Sequence, residues 1–198
     1  MARKLRVLVP GLSLHVIHRG NNRGSTFQDD RDYEWFMAIL RKTVARYEVS
    51  LHAYALMPNH YHLLVTPTDG SALPHAMKAL GVRYVGYYNR KYGRSGTLWG
   101  GRYRAFHIED EQYWLTCLRY IEQNPVRAGM VRSPEEYPWS SYRAHALGKA
   151  PSWLTAHSVY LALGADAQQR QSAYRAICDP FLSETDLADQ RLDAAGTP

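Results

Sequence analysis

The sequence predicts an α+β fold: a ferredoxin-like antiparallel sheet with helices packed on it, followed by a C-terminal helical extension. Three observations carry this. Segments of period two and longer segments of period 3.6 alternate in the order strand, helix, strand, strand, helix, strand, helix. The second and third strands pair antiparallel, with the helices crossing one face of the sheet. After about residue 150 the composition turns rich in Ala, Gln and Asp and the periodicity weakens.

The first strand covers residues 12–19, where Leu14, Val16 and His18 alternate with Ser13, His15 and Ile17; Gly20-Asn21-Asn22-Arg23-Gly24 ends it as a turn. A helix follows over 31–47, with Asp29 or Asp30 as cap and Trp35, Phe36, Ile39, Leu40 and Val44 at helical spacing. Residues 49–56 form the second strand, Met57-Pro58-Asn59 interrupts, and 61–66 form the third. Asp69-Gly70-Ser71 opens a second helix over 72–92, with Leu73, Met77, Leu80, Tyr84 and Tyr88 on one side. A Gly-rich basic loop spans 93–101, and a short strand spans 103–108. The third helix covers 110–123 and stops at Asn124-Pro125, because the residue before a proline is pushed out of helical geometry. Periodicity returns over 159–163 and 167–177 as accessory helices, and the chain ends in a frayed tail near 193–198. The expected division is one domain over 1–148 and accessory helices with a tail over 149–198.

Composition narrows the function. The longest apolar runs fall far short of the ~20 residues a membrane span needs. Arg3, Lys4 and Arg6 precede only a short apolar stretch broken at Pro10 and Gly11, which is unlike a signal peptide. Cys117 and Cys178 are too few and too far apart for a disulfide framework or a cysteine zinc site, so a reduced, cytoplasmic location is expected. The net charge is +6, and residues 78–104 carry Lys78, Arg83, Arg90, Lys91, Arg94, Arg102 and Arg104 with no acidic residue. Such a stretch suits a polyanion. Tyr84, Tyr87, Tyr88, Tyr92, Trp99 and Tyr103 are interleaved with these bases, a mixture that suits single-stranded nucleic acid through base stacking.

Two places can carry chemistry. His60 and His62 lie two apart in a strand and project to one face, as a divalent metal site requires. Alone, the pair also reads as two surface or hydrogen-bonded histidines, and it needs a third ligand. On the third helix, at about 100° per residue, Trp114, Leu118 and Ile121 form a core stripe with Cys117 at its margin. Tyr113, Tyr120 and Asn124 fall on the flank, and Tyr120 and Asn124, four apart, share a face. Where that flank meets the histidines, Asn124 can supply an oxygen ligand and Tyr120 a hydroxyl. Otherwise Tyr120 is a half-buried core residue and Asn124 serves the turn into Pro125.

His60-Tyr61-His62, within Met57-Pro58-Asn59-His60-Tyr61-His62-Leu63-Leu64, resembles the His-hydrophobic-His signature of the HUH single-tyrosine transposases. The run from Arg119 through Tyr120, Asn124 and Pro125 to Gly129 resembles the helix bearing their nucleophile. His15 with Arg19-Gly20-Asn21-Asn22-Arg23, the run Gly96 to Tyr103, and Trp139-Ser140-Ser141-Tyr142 are further matches, in the correct order over about residues 10–145. The resemblance extends to the REP-associated branch, linked to repetitive extragenic palindromes; residues beyond about 150 match nothing.

The resemblance implies the HUH nuclease fold over 1–148, with His60, His62 and Asn124 as ligands of Mg²⁺ or Mn²⁺ and Tyr120 as nucleophile. Other members carry Gln at the Asn124 position; Asn keeps the amide oxygen but shortens its reach. The implied activity is cleavage and rejoining of single-stranded DNA near hairpins through a 5′-phosphotyrosine. Arg19, Asn21, Asn22, Arg23, Arg83, Lys91, Arg94, Arg102 and Arg104 are the candidate DNA contacts. A monomer or homodimer acting on single-stranded or hairpin DNA is expected, with no membrane and no small-molecule substrate. Three alternatives share parts of this pattern: a non-catalytic single-strand-binding module, a replication initiator or relaxase, and a metallohydrolase in which Tyr120 is structural. The first needs none of His60, His62, Tyr120 and Asn124. The second usually brings a further domain, and the third wants an acidic residue near the histidines.

Overall fold

A computed structural model describes residues 8–179. The expected tail near 193–198 lies outside them. Strand β1 (Leu14–Arg19) is followed by helix α1 (Asp30–Arg46), strands β2 (Val49–Met57) and β3 (His60–Pro67), and helix α2 (Ala72–Lys91). Strand β4 (Arg104–His107), helix α3 (Glu111–Arg127) and the shorter helices α4 (Tyr142–Leu147), α5 (Ser158–Leu161) and α6 (Ala167–Cys178) complete the order. The four strands form one sheet in the order β2-β3-β1-β4, and every pairing is antiparallel. This is the ferredoxin-like arrangement expected from the element order.

The helices cover both faces, not one. Leu14, Val16, Leu56, Tyr61, Leu63 and Val65 pack with Phe36, Leu40, Leu80 and Tyr84 of α1 and α2. On the other face, Ala53, Ala55 and Leu64 pack with Trp114, Cys117, Leu118 and Ile121 of α3. The alternation of each strand makes this possible, since both its faces carry apolar residues. A register shift between Leu51 and Ala53 places Leu51 in the first core and Ala53 in the second. The small side chains of Ala53 and Ala55 then let α3 lie close to the sheet. Residues of α4, α5 and α6 join that second core through Tyr142, Ala146, Val159, Tyr160 and Tyr174.

The start of α3 follows its capping signal, with Asp110 Oδ1 accepting a hydrogen bond from the Tyr113 amide at 2.7 Å. Its end does not follow the proline rule: the helix runs through Asn124 and Pro125 to Arg127. Pro125 sits in the last turn, where little helix remains to be broken. Gly129, at φ 67°, donates to Val126 O at 2.9 Å, and Met130 donates to Pro125 O at 2.9 Å. This paired closure satisfies the terminal carbonyls.

The aromatic residues of the basic stretch are mostly core. Tyr84, Tyr88, Trp99 and Tyr103 are buried, and only Tyr87 and Tyr92 are partly open. Helical spacing carries Tyr84 and Tyr88 onto the inner stripe of α2, so they are not a stacking platform for bases.

Candidate active site

The β1–β3 register sets the site. Ile17 lies opposite His62 and Arg19 opposite His60, so all four share a face. Arg104 lies opposite Ile17 on the other side of β1, and His15 is one alternate position away. Helix α3 lays Tyr120 over this floor: its ring centroid is 5.6 Å from that of His62 and 5.8 Å from that of His15, both edge-on. The His60 and His62 rings are 4.9 Å apart. The structure therefore brings together His60, His62 and Tyr120. Asn124 follows Tyr120 by one turn and is half-buried. Tyr61 faces the opposite core, against Phe36 and Trp99.

A hydrogen bond fixes the His60 tautomer. His60 Nδ1 meets Asn59 Oδ1 at 2.6 Å; a carbonyl oxygen only accepts, so Nδ1 carries the proton and Nε2 keeps its lone pair. His62 Nδ1 meets His15 Nε2 at 2.9 Å in a fully buried contact. His62 Nε2 is buried and has no hydrogen-bond partner among the described residues. Leaving such an atom unmade costs about 1–3 kcal/mol, a cost that a ligand on Nε2 removes. Burial holds all three rings neutral: His15 is pushed down to about 3. His60 falls to about 4, with the Arg19 charge adding to burial. His62 falls well below the usual value, through burial and then the neighbouring His15, His60 and Arg19.

These features fit a divalent ion, which takes neutral imidazole nitrogens. Among the described residues no group of three or more His, Cys, Asp and Glu side chains could hold a metal ion. A third protein ligand would thus be of another kind, and the Asn124 amide is the candidate. Close by, the Arg127 guanidinium lies 5.2 Å from the Tyr120 ring centroid.

A basic cleft adjoins the histidines. A cavity of about 420 Å³ is lined by Ile17, Arg19, Asn21, Asn22, Arg23, Arg102 and Arg104, with backbone from Gly20, Gly100 and Gly101. Six of the nine expected DNA contacts therefore meet in one place. The cleft exists because the end of β1 is stitched to the preceding loop of β4: Asn21 N donates to Leu98 O and Gly100 N to Arg19 O, both at 2.9 Å. Gly20 is required there, since a Cβ would stand 2.2 Å from Gly24 O. Asn22 and Arg23 both take left-handed backbone, at φ 49° and 57°, which turns Arg23 into the cleft at a strain cost of about 1–3 kcal/mol each for such residues.

The other three expected contacts lie elsewhere. Lys91 pairs with Asp29 at 2.6 Å and with the fully buried Asp32 at 2.7 Å. Burial alone would raise the Asp32 carboxyl; hydrogen bonds from Lys91, the Gln28 amide, Tyr92 and Tyr87 outweigh it and hold it below the usual range. Arg94 lies over the Tyr88 ring, and Arg83 lines a groove between α1 and α2.

Sequence reasoning left two buried residues without a role. His15 stood in a matched motif, but its place beside His62 depends on the β1–β3 register. Glu122 is fully buried on α3 and accepts hydrogen bonds from Ser141, His145 and Tyr174. A carboxylate next to the apolar stripe of a helix was the available signal.

The family described as "Transposase IS200 like" matches residues 8–124, more than half of the chain. A chain of Haemophilus influenzae described as a REP-associated tyrosine transposase is 25% identical over 117 residues, covering 54% of this chain and 66% of the relative. This chain thus matches slightly less than two thirds of that relative's length. A solved structure titled as a REP-associated tyrosine transposase bound to a REP hairpin aligns with TM-score 0.59 at 19% identity, over 80% of this chain and 93% of that one. That likeness establishes the shared fold. Among the described residues no helix is long and apolar enough to cross a membrane.

Proposed function

This chain belongs to the IS200-like transposase family, and from that premise we propose that it cleaves and rejoins single-stranded DNA beside hairpins through a covalent link between Tyr120 and a DNA 5′-phosphate. One observation carries the reading: Tyr120 packs edge-on against His62, on the sheet face that also holds His60, Arg19 and the basic cleft. The strand enters from the cleft, over the half-buried His60 edge. Arg19, Arg23, Arg102 and Arg104 hold its phosphates, and Asn21 and Asn22 lie at the same wall. Hairpin DNA is the partner that the structural relative was solved with, and we extend it to this chain.

A divalent ion, Mg²⁺ or Mn²⁺, would polarise the scissile phosphate and stabilise its transition-state charge. His60 Nε2, His62 Nε2 and the Asn124 amide oxygen would hold it. Tyr120 attacks phosphorus and forms an O–P bond; the P–O3′ bond breaks and the 3′ oxygen leaves as a hydroxyl, taking up the proton that the phenol gave up. A phenol titrating near 10 is a weak nucleophile at neutral pH. The Arg127 guanidinium lies over the Tyr120 ring, where its positive charge stands beside the phosphate end of the site. Attack by a 3′-hydroxyl from another end reverses the step and joins the strands.

The test is incubation of labelled hairpin DNA with the protein and Mg²⁺ or Mn²⁺. A covalent adduct that disappears in Tyr120→Phe and on chelation is expected. Hairpin binding without any adduct would instead favour the non-catalytic module.

A further inference from the structure

Glu122 and Tyr120 are close in sequence but lie on opposite flanks of α3. At about 100° per residue the stripe of Cys117, Ile121, Trp114 and Leu118 runs between them. The Glu122 carboxylate is fully buried. Its Oε1 accepts from Ser141 Oγ at 2.5 Å and His145 Nδ1 at 2.8 Å, and its Oε2 accepts from Tyr174 Oη at 2.7 Å. These donors sit at the start of α4, within α4 and on α6. Gln123, the next residue, donates Nε2 to Cys178 O at 2.7 Å. Ser141 is tied in turn to β2, receiving the Tyr54 amide at 2.9 Å and donating its own to Tyr54 O at 3.0 Å.

A buried carboxylate is costly unless its lone pairs are engaged, so one orientation of α3 satisfies this cluster. The apolar stripe is less selective, because hydrophobic packing is non-directional whereas hydrogen bonds weaken steeply with angle. A helix with its side chains has a radius of about 5–6 Å, so a roll of about 10° moves a side-chain tip by about 1 Å. A misplacement of about 1 Å can cost a reaction on the order of a hundredfold.

We propose that Glu122 is a positioning residue for DNA cleavage: through it, α4 and α6 hold α3 at the roll angle that keeps Tyr120 against His62. This rests on Tyr120 as the nucleophile. It gives a role to segments beyond residue 124, where the family match ends.

Tyr174→Phe removes one donor at constant shape, and Glu122→Gln turns one acceptor into a donor; both are made in the full chain. Single-turnover cleavage at saturating hairpin, hairpin Kd and amide exchange are measured well below each variant's Tm. Cleavage slows by about ten- to a hundredfold while Kd stays within about twofold. Amides of α3 exchange faster, and those of β1 and β3 are unchanged. A lowered Tm with an unchanged cleavage rate marks a merely structural contact and overturns the proposal. Unchanged exchange along α3 overturns it too, even were the wild-type chain unable to cleave; absence of wild-type cleavage would count separately against the proposed function.

Discussion

His15→Leu separates ligand orientation from folding at this site. His15 is fully buried, and its Nε2 meets His62 Nδ1 at 2.9 Å; its own Nδ1 has no partner among the described residues. Leucine fills a similar volume and removes that orphaned nitrogen, a gain of about 1–3 kcal/mol, but it orphans His62 Nδ1 at a similar cost. The two offset, so Tm should move by only a few degrees. The proposed metal binding has no such offset. Without His15 the His62 ring loses the contact that holds its rotation, and loss of such a partner typically weakens metal affinity about 10–100-fold, or about 1.4–2.7 kcal/mol. Calorimetric titration with Mn²⁺, alongside the metal concentration for half-maximal cleavage, reads this directly. Both should rise together, and excess metal should restore most of the rate. Metal affinity within about twofold of wild type would refute the orienting role of His15.

Other outcomes follow from the same contacts. Arg19→Ala and Arg104→Ala should each weaken hairpin binding and lower the slope of log Kd against log salt by about 0.7–0.9, measured by fluorescence anisotropy over a salt series; unchanged slopes would remove them from the phosphate path. Lys91→Met leaves the buried Asp32 without its cation, so the chain should lose about 3 kcal/mol of stability in urea titration while hairpin affinity holds. His52 and His15 are held down by burial to about 4 and about 3. The unfolded chain takes up these protons near 6.5, so stability is full above that pH and is lost as pH falls. At pH 5.5 each contributes a loss of about 1.4 kcal/mol in metal-free protein, and an unchanged Tm between pH 7.5 and 5.5 would contradict it.

Much of this architecture is legible locally. Alternation around Leu14 and Val16, the stripe of α2 and the Asp110 cap of α3 each read directly from residue type and spacing. Spacing also put His60 with His62, and Tyr120 with Asn124. It did not say which face of the sheet α3 covers, because periodicity tells which side of a helix is buried and not against what. The partnership of His15 with His62 was hidden for the same reason: it needs β1 beside β3 in one register. Pro125 misled because the steric rule is local, and a proline in the final turn leaves few helical bonds to lose. The interleaved tyrosines of α2 misled because composition is blind to direction; the four-residue step from Tyr84 to Tyr88 already marked a buried stripe. Glu122 gains its meaning only from α4 and α6, far along the chain.

The most direct measurement is the identity of the residue that carries DNA. A hairpin oligonucleotide is incubated with the full chain and Mn²⁺, the adduct is digested with protease and nuclease, and the modified peptide is sequenced by mass spectrometry. The account predicts a nucleotide attached through a 5′-phosphate to Tyr120, on the flank of α3 that faces His62. Attachment to Tyr113 or Tyr61, or a 3′-phosphate linkage, would contradict it.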